Sequence, residues 1–106
     1  MHYVRCVNND GYQASLTLGA IYKMLPTGSD AVTLRVIDNE GEDYLYDASR
    51  FEPVEMHGHD AIDDTITIHL NRRVKGILRA EALASQKAIS ALLREWIDER
   101  LDLPVQ

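Results

Sequence analysis

Residues 64–78 read DTITIHLNRRVKGIL, and the spacing of apolar side chains changes midway along them. Up to Leu70 polar and apolar residues alternate one for one. Thr65, Thr67 and His69 share one face and Ile66, Ile68 and Leu70 the other, which is the period of a strand. From Asn71 onward the apolar residues recur at three and four, the period of a helix. The pattern predicts a helix over 72–84, N-capped by Asn71, with Val74, Ile77 and Leu78 in one stripe and Leu83 extending it near the end. Ser85-Gln86-Lys87 interrupts the periodicity, and Ser85 is the expected cap of a second helix over about 86–101. Ile89, Leu92, Leu93, Trp96, Ile97 and Leu101 form its apolar face, and Pro104 stops it.

The first half has strand rhythm throughout. YVRCV (3–7) is followed by the polar turn Asn8-Asn9-Asp10-Gly11, and SLTLGAIYKML (15–25) alternates, with Gly19 marking a bulge or bend. VTLRVID (32–38) and EDYLYD (42–47) flank Asn39-Glu40-Gly41, a short hairpin loop in which glycine takes positive φ. ASRFEPV (48–54) adds a tight turn and a last short strand. Five short strands with tight turns in about 55 residues suit a small closed barrel, because closure removes exposed edges. The order of these parts, and the ending YLYDASRFEPV above all, resembles SH3-like barrels. The resemblance covers residues 1–55. Tyr12, Tyr22, Tyr44, Tyr46 and Phe51 admit two readings: a peptide-binding aromatic groove, or core and cross-strand packing.

One strand and two helices in about 40 residues bury too little apolar surface to fold alone, and a lone strand leaves its backbone groups unpaired. Both problems vanish if two copies associate, with their strands antiparallel and their helices interlocked beneath. The expected dimer core is Ile66, Ile68, Leu70, Val74, Ile77, Leu78, Ile89, Leu92, Leu93, Trp96 and Ile97. TITIHL, RRVKGILRAEALA and ISALLREWIDERL, in this order, resemble the ribbon-helix-helix DNA-binding domains of the Arc/MetJ class over residues 64–101. In the last stretch the matching residues are Ser90, Leu92, Leu93, Arg94, Glu95 and Ile97. The resemblance implies a two-stranded ribbon in the major groove of double-stranded DNA, with Thr65, Thr67 and His69 as base readers. It also implies phosphate contacts at the start of the second helix, here Ser85, Gln86 and Lys87, supplemented by Arg72, Arg73 and Lys75.

The fold class expected is therefore α+β: an SH3-like small β-barrel (1–55), a linker (56–63) and a C-terminal ribbon-helix-helix dimerisation unit (64–106). The expected function is a dimeric DNA-binding transcriptional regulator with an N-terminal docking or effector module, an antitoxin-like regulator being one variant. The alternative is a homodimeric interaction adaptor that binds no DNA and presents two barrels to a protein or peptide. Threonine suits an exposed strand face in either case.

Charge sharpens this picture. The 106-residue chain carries a net charge of −6 at neutral pH, but unevenly. Residues 1–63 hold four basic against eleven acidic side chains, whereas residues 64–106 hold seven against six. Arg72, Arg73, Lys75 and Arg79 fall within 69–79 with no acid among them. Screening confines surface electrostatics to about 10 Å, so this local excess outweighs the total. Cys6 is the single cysteine, which excludes an internal disulfide and suits a buried small residue. His57 and His59, with Asp60 and Asp63, lie in the linker and read as solvated, so no metal and no cofactor are expected. There is no glycine-rich phosphate loop or nucleophile motif, so an enzyme is not expected. The absence of a signal-like or membrane-spanning apolar run gives the expectation of a cytoplasmic protein.

Overall fold

The computed structural model describes residues 3–26, 32–54 and 61–102. The chain divides into two compact units, Met1–Glu55 and Met56–Gln106. It is an α+β protein: five antiparallel strands precede two helices. These are β1 (Tyr3–Cys6), β2 (Ile21–Leu25), β3 (Thr33–Ile37), β4 (Asp43–Asp47), a 3₁₀ turn (Ala48–Arg50), β5 (Phe51–Pro53), α1 (Arg72–Ala84) and α2 (Ile89–Leu101). No helix among the described residues is long and apolar enough to cross a membrane.

In the first unit the strands lie in the order β4-β3-β2-β1-β5. β2 serves two ladders with different parts of its length. Ile21, Tyr22 and Lys23 pair with β1, while Met24 and Leu25 pair with β3. Beneath lies one apolar cluster of Val4, Cys6, Leu16, Tyr22, Val36, Tyr46 and Phe51, with Ala20, Met24 and Leu34 packed against it. The aromatic residues divide accordingly. Tyr22, Tyr46 and Phe51 are core, and Tyr12 and Tyr44 remain exposed. Tyr46 meets Tyr12 and Tyr44 at ring-centroid distances of 5.2 Å each and Phe51 at 6.1 Å.

The sheet is open, where the strand rhythm predicts a closed barrel. β5 explains why. Val7 N–H bonds Arg50 C=O and Val54 N–H bonds Tyr3 C=O, which fixes the phase of the β1–β5 ladder. By antiparallel alternation, Phe51 and Pro53 then point their backbone groups away from β1. Phe51 N–H is taken by Ala48 C=O, and Pro53 has no N–H. The outer edge of β5 has no free donor and offers a closing strand only the carbonyls of Phe51 and Pro53.

A second departure lies at 15–20, where the alternation predicts strand but turns are found, β2 beginning only at Ile21. Hydrogen bonds hold this segment elsewhere. Tyr22 Oη accepts from Thr17 N–H at 2.7 Å and donates to Asn39 Oδ1 at 2.6 Å. Asn39 Nδ2 donates to Thr17 Oγ1 at 3.0 Å, and Asn39 N–H to Ser15 C=O at 2.9 Å. Gly19, at φ +84°, turns the chain back towards β1, and fully buried Leu16 plugs the core. Arg50 ties down the other side of this loop. Its Nη1 donates to Asp10 C=O at 2.8 Å, and its guanidinium lies 4.6 Å from the centroid of Tyr12.

The β3–β4 hairpin closes as its sequence predicts. Gly41 has φ +76°, and Asp38 Oδ1 accepts from Glu40 N–H at 2.9 Å. Asp38 Oδ2 accepts from Tyr46 Oη at 3.0 Å. Burial, and then this bond to a carboxylate, pushes the Tyr46 hydroxyl from 10.0 up to about 12. Two outcomes are expected. Asn39→Ala removes the two side-chain bonds, from Tyr22 Oη and to Thr17 Oγ1, that tie the hairpin to the rest of the unit, and lowers stability by about 1–3 kcal/mol, read by thermal or urea unfolding. Folded Tyr46 keeps its proton where the unfolded chain has lost it, so its contribution is intact below pH 10 and lost between pH 10 and about 12. Unfolding midpoints measured across that window fall more steeply for the native chain than for Tyr46→Phe.

Candidate nucleic-acid interface

The second unit is built from α1 and α2. Asn71 caps α1 as its sequence predicts: its side chain accepts from Val74 N–H at 2.8 Å. The end of α1 departs from expectation. Ser85 is the C-cap of α1 and does not cap α2, which starts at Ile89 after Ala88 and without a side-chain cap bond. Between them Gln86 N–H bonds Leu83 C=O and Lys87 N–H bonds Ala82 C=O, with Gln86 at φ +56°. This is a Schellman ending with glutamine where glycine is usual. Nothing in the composition of Ser85-Gln86-Lys87 announces it, because the left-handed residue lacks its ordinary marker.

The apolar stripe of α1 also differs. Ala82, rather than Leu83, is the buried residue, and Leu83 is 60% exposed. At 100° per residue Leu83 lies nine positions, or half a turn, from Val74, so it falls on the opposite side. Against it α2 contributes one buried residue, Leu92. Leu78, Ile89 and Leu93 are half-buried, while Val74, Ile77, Trp96 and Ile97 stay exposed.

Residues 61–70 are exposed throughout and join no helix or ladder among the described residues. Strand was expected over 65–70. A strand exists only by pairing, and this unit has one such segment, so the alternation finds no neighbour. Thr65, Thr67 and His69 are exposed, as are Ile66, Ile68 and Leu70, with Ile66 at 89%. Ile68, His69, Leu70, Lys75, Leu78, Ile89 and Leu93 line a groove of about 370 Å³.

The charged residues separate into two groups. Arg72, Arg73, Lys75 and Arg79 are exposed, and none forms an ion pair among the described residues. Arg72, Lys75 and Arg79 share one helix face at spacings of three and four. That spacing was visible in RRVKGILR. Lys87, by contrast, is engaged by the Glu95 carboxylate. Ser85, Gln86 and Lys87 thus precede α2 instead of forming its first turn, where the free N–H groups lie. Among the described residues no three His, Cys, Asp or Glu side chains group as a metal site; His57, His59 and Asp60 lie outside them.

Comparison with protein-family models, with curated proteins and with solved structures gives no match for the chain. The geometry of the Gln86 turn supplies its own test. Gln86→Gly relieves a left-handed non-glycine residue and is expected to raise the stability of this unit by about 1 kcal/mol in chemical denaturation.

Proposed function

We propose that the chain is a dimeric DNA-binding transcriptional regulator. Residues 64–101 form a ribbon-helix-helix unit when two copies meet, and an SH3-like N-terminal module serves for docking. The observation that carries this reading is the state of residues 66–70. Three large apolar side chains at strand spacing stand exposed, and so do Val74, Ile77, Trp96 and Ile97 of the two helices. Large apolar side chains left exposed in this number within one small unit suit an interface. A second copy supplies both what the apolar face and what the unpaired backbone require, and turns Thr65, Thr67 and His69 outward as a pair of strands. The ion-pair-free cations Arg72, Lys75 and Arg79 supply phosphate attraction beside them. The strand order and the 3₁₀ turn between β4 and β5 support the SH3-like reading of the first unit.

One observation favours a second reading, an adaptor in which this unit only dimerises. Asp63 and Asp64 are exposed directly before the ribbon, where they repel phosphate. Binding of the purified full chain to a random duplex-DNA pool, followed across salt, separates the two. The regulator selects a sequence, and its affinity falls with salt at a log–log slope of about −0.9 per phosphate neutralised. Thr67→Ala with His69→Ala reduces that preference by about ten- to a hundredfold while the protein stays dimeric in sedimentation. Ile68→Asp places a carboxylate in the seam and yields monomers. A dimer that binds no DNA at low salt overturns the regulator reading.

A further inference from the structure

The two edges of the open sheet differ in kind. At β5 the edge is three residues long and has no free donor, as shown above. At β4 it is five residues long and contains no proline. The phase of the β3–β4 ladder follows from its ends. Asp38 N–H bonds Glu42 C=O, and Ala48 N–H bonds Val32 C=O. Antiparallel alternation between these points turns Tyr44 and Tyr46 towards β3 and leaves the N–H groups of Asp43, Leu45 and Asp47 pointing outward. No hydrogen bond among the described residues reaches these donors. Their side chains are exposed, Leu45 included.

An unpaired edge of this length invites another strand, and its charges decide which one. Asp43, Leu45 and Asp47 lie on one face of β4 at i, i+2 and i+4. A second copy pairing antiparallel about Leu45 sets Asp43 against Asp47 on both sides, and like charges directly opposite repel. Self-pairing is thereby disfavoured. A strand with cations at the same spacing meets the opposite situation. Asp47 has no ion pair among the described residues, and Asp43 accepts from Arg35 Nη1 at 2.9 Å while its side chain stays half exposed. Glu42, exposed at the head of the hairpin, adds to the field. On the other face Tyr44, 55% exposed, presents its ring beside the same edge.

We infer that the outer edge of β4 is a docking site for an extended basic segment of a partner protein. The segment adds as a sixth strand, with Lys or Arg at positions i and i+4 flanking an apolar residue. Backbone bonds to Asp43, Leu45 and Asp47 supply attachment, and the two carboxylates supply the choice of partner. This inference is independent of the DNA reading, since it concerns the first unit alone.

The probe is the capped peptide Thr-Lys-Thr-Val-Thr-Lys-Thr, titrated into the isotope-labelled full chain by NMR, with its Glu-for-Lys counterpart as control. The expected result is slowed hydrogen exchange at the amides of Asp43, Leu45 and Asp47, and affinity at least tenfold above that of the control. Asp47→Lys reverses this preference, and the milder Asp47→Asn reduces it without adding charge. Equal binding of the two peptides, or no binding of either, overturns the inference. So does binding that leaves the three amides unprotected, or protection that grows with protein concentration in the absence of peptide.

Discussion

Every backbone donor and acceptor removed from water needs a partner, and the two units of this chain differ in how far they supply one. In the first unit the strands pair with one another from β4 through to β5, and a polar network fills the places the ladder does not reach. Tyr22, Asn39 and Thr17 act there as a substitute for strand pairing, holding the 15–20 segment by side-chain bonds. Core and network are one structure, since the Tyr22 ring is buried in the apolar cluster while its hydroxyl joins the loop to the hairpin. In the second unit residues 65–70 carry strand patterning, stay exposed to water and pair with no strand among the described residues.

That difference organises the functional argument. A self-sufficient unit advertises through its edges and charges, which is why β4 and β5 deserve contrasting readings. An insufficient unit advertises through what it fails to bury. Among the described residues the two helices enclose only Ala82 and Leu92 completely, too little for an independent core. The groove lined by Ile68, Leu70, Leu78, Ile89 and Leu93 belongs to the same deficit.

Much of the local structure is legible from residue order. Asn71 before a three-four repeat marks the start of α1 at Arg72, and Gly41 marks the hairpin. Cys6, in its apolar stretch, is fully buried. What escaped depends on tertiary bonds or on special geometry. Alternation over 15–20 mimics a strand because Leu16 and Ala20 are buried or half-buried for reasons of loop packing. The open edge of β5 lacks two donors, one absent at Pro53 and one spent in a 3₁₀ turn, and neither loss shows in the strand alternation. The boundary between the helices was misplaced because Gln86 adopts a backbone conformation usually signalled by glycine or asparagine. In the candidate interface both faces of 65–70 are exposed, so exposure does not separate Thr65, Thr67 and His69 from Ile66, Ile68 and Leu70, and the pairing of Lys87 with Glu95, eight residues on, has no local signature.

Cys6 gives the first unit a built-in clock. Its thiol is the only one in the chain, and its residue has no exposure to solvent, in contact with the cluster that contains Leu16, Val36 and Phe51. A reagent that modifies thiols therefore meets it only when the unit opens far enough to separate β1 from that cluster. Where opening and closing are fast relative to modification, the labelling rate measures the free energy of that opening; where modification is faster, it measures the opening rate itself. The opening of the native N-terminal unit can thus be followed in the intact protein, without a denaturant and without an engineered cysteine.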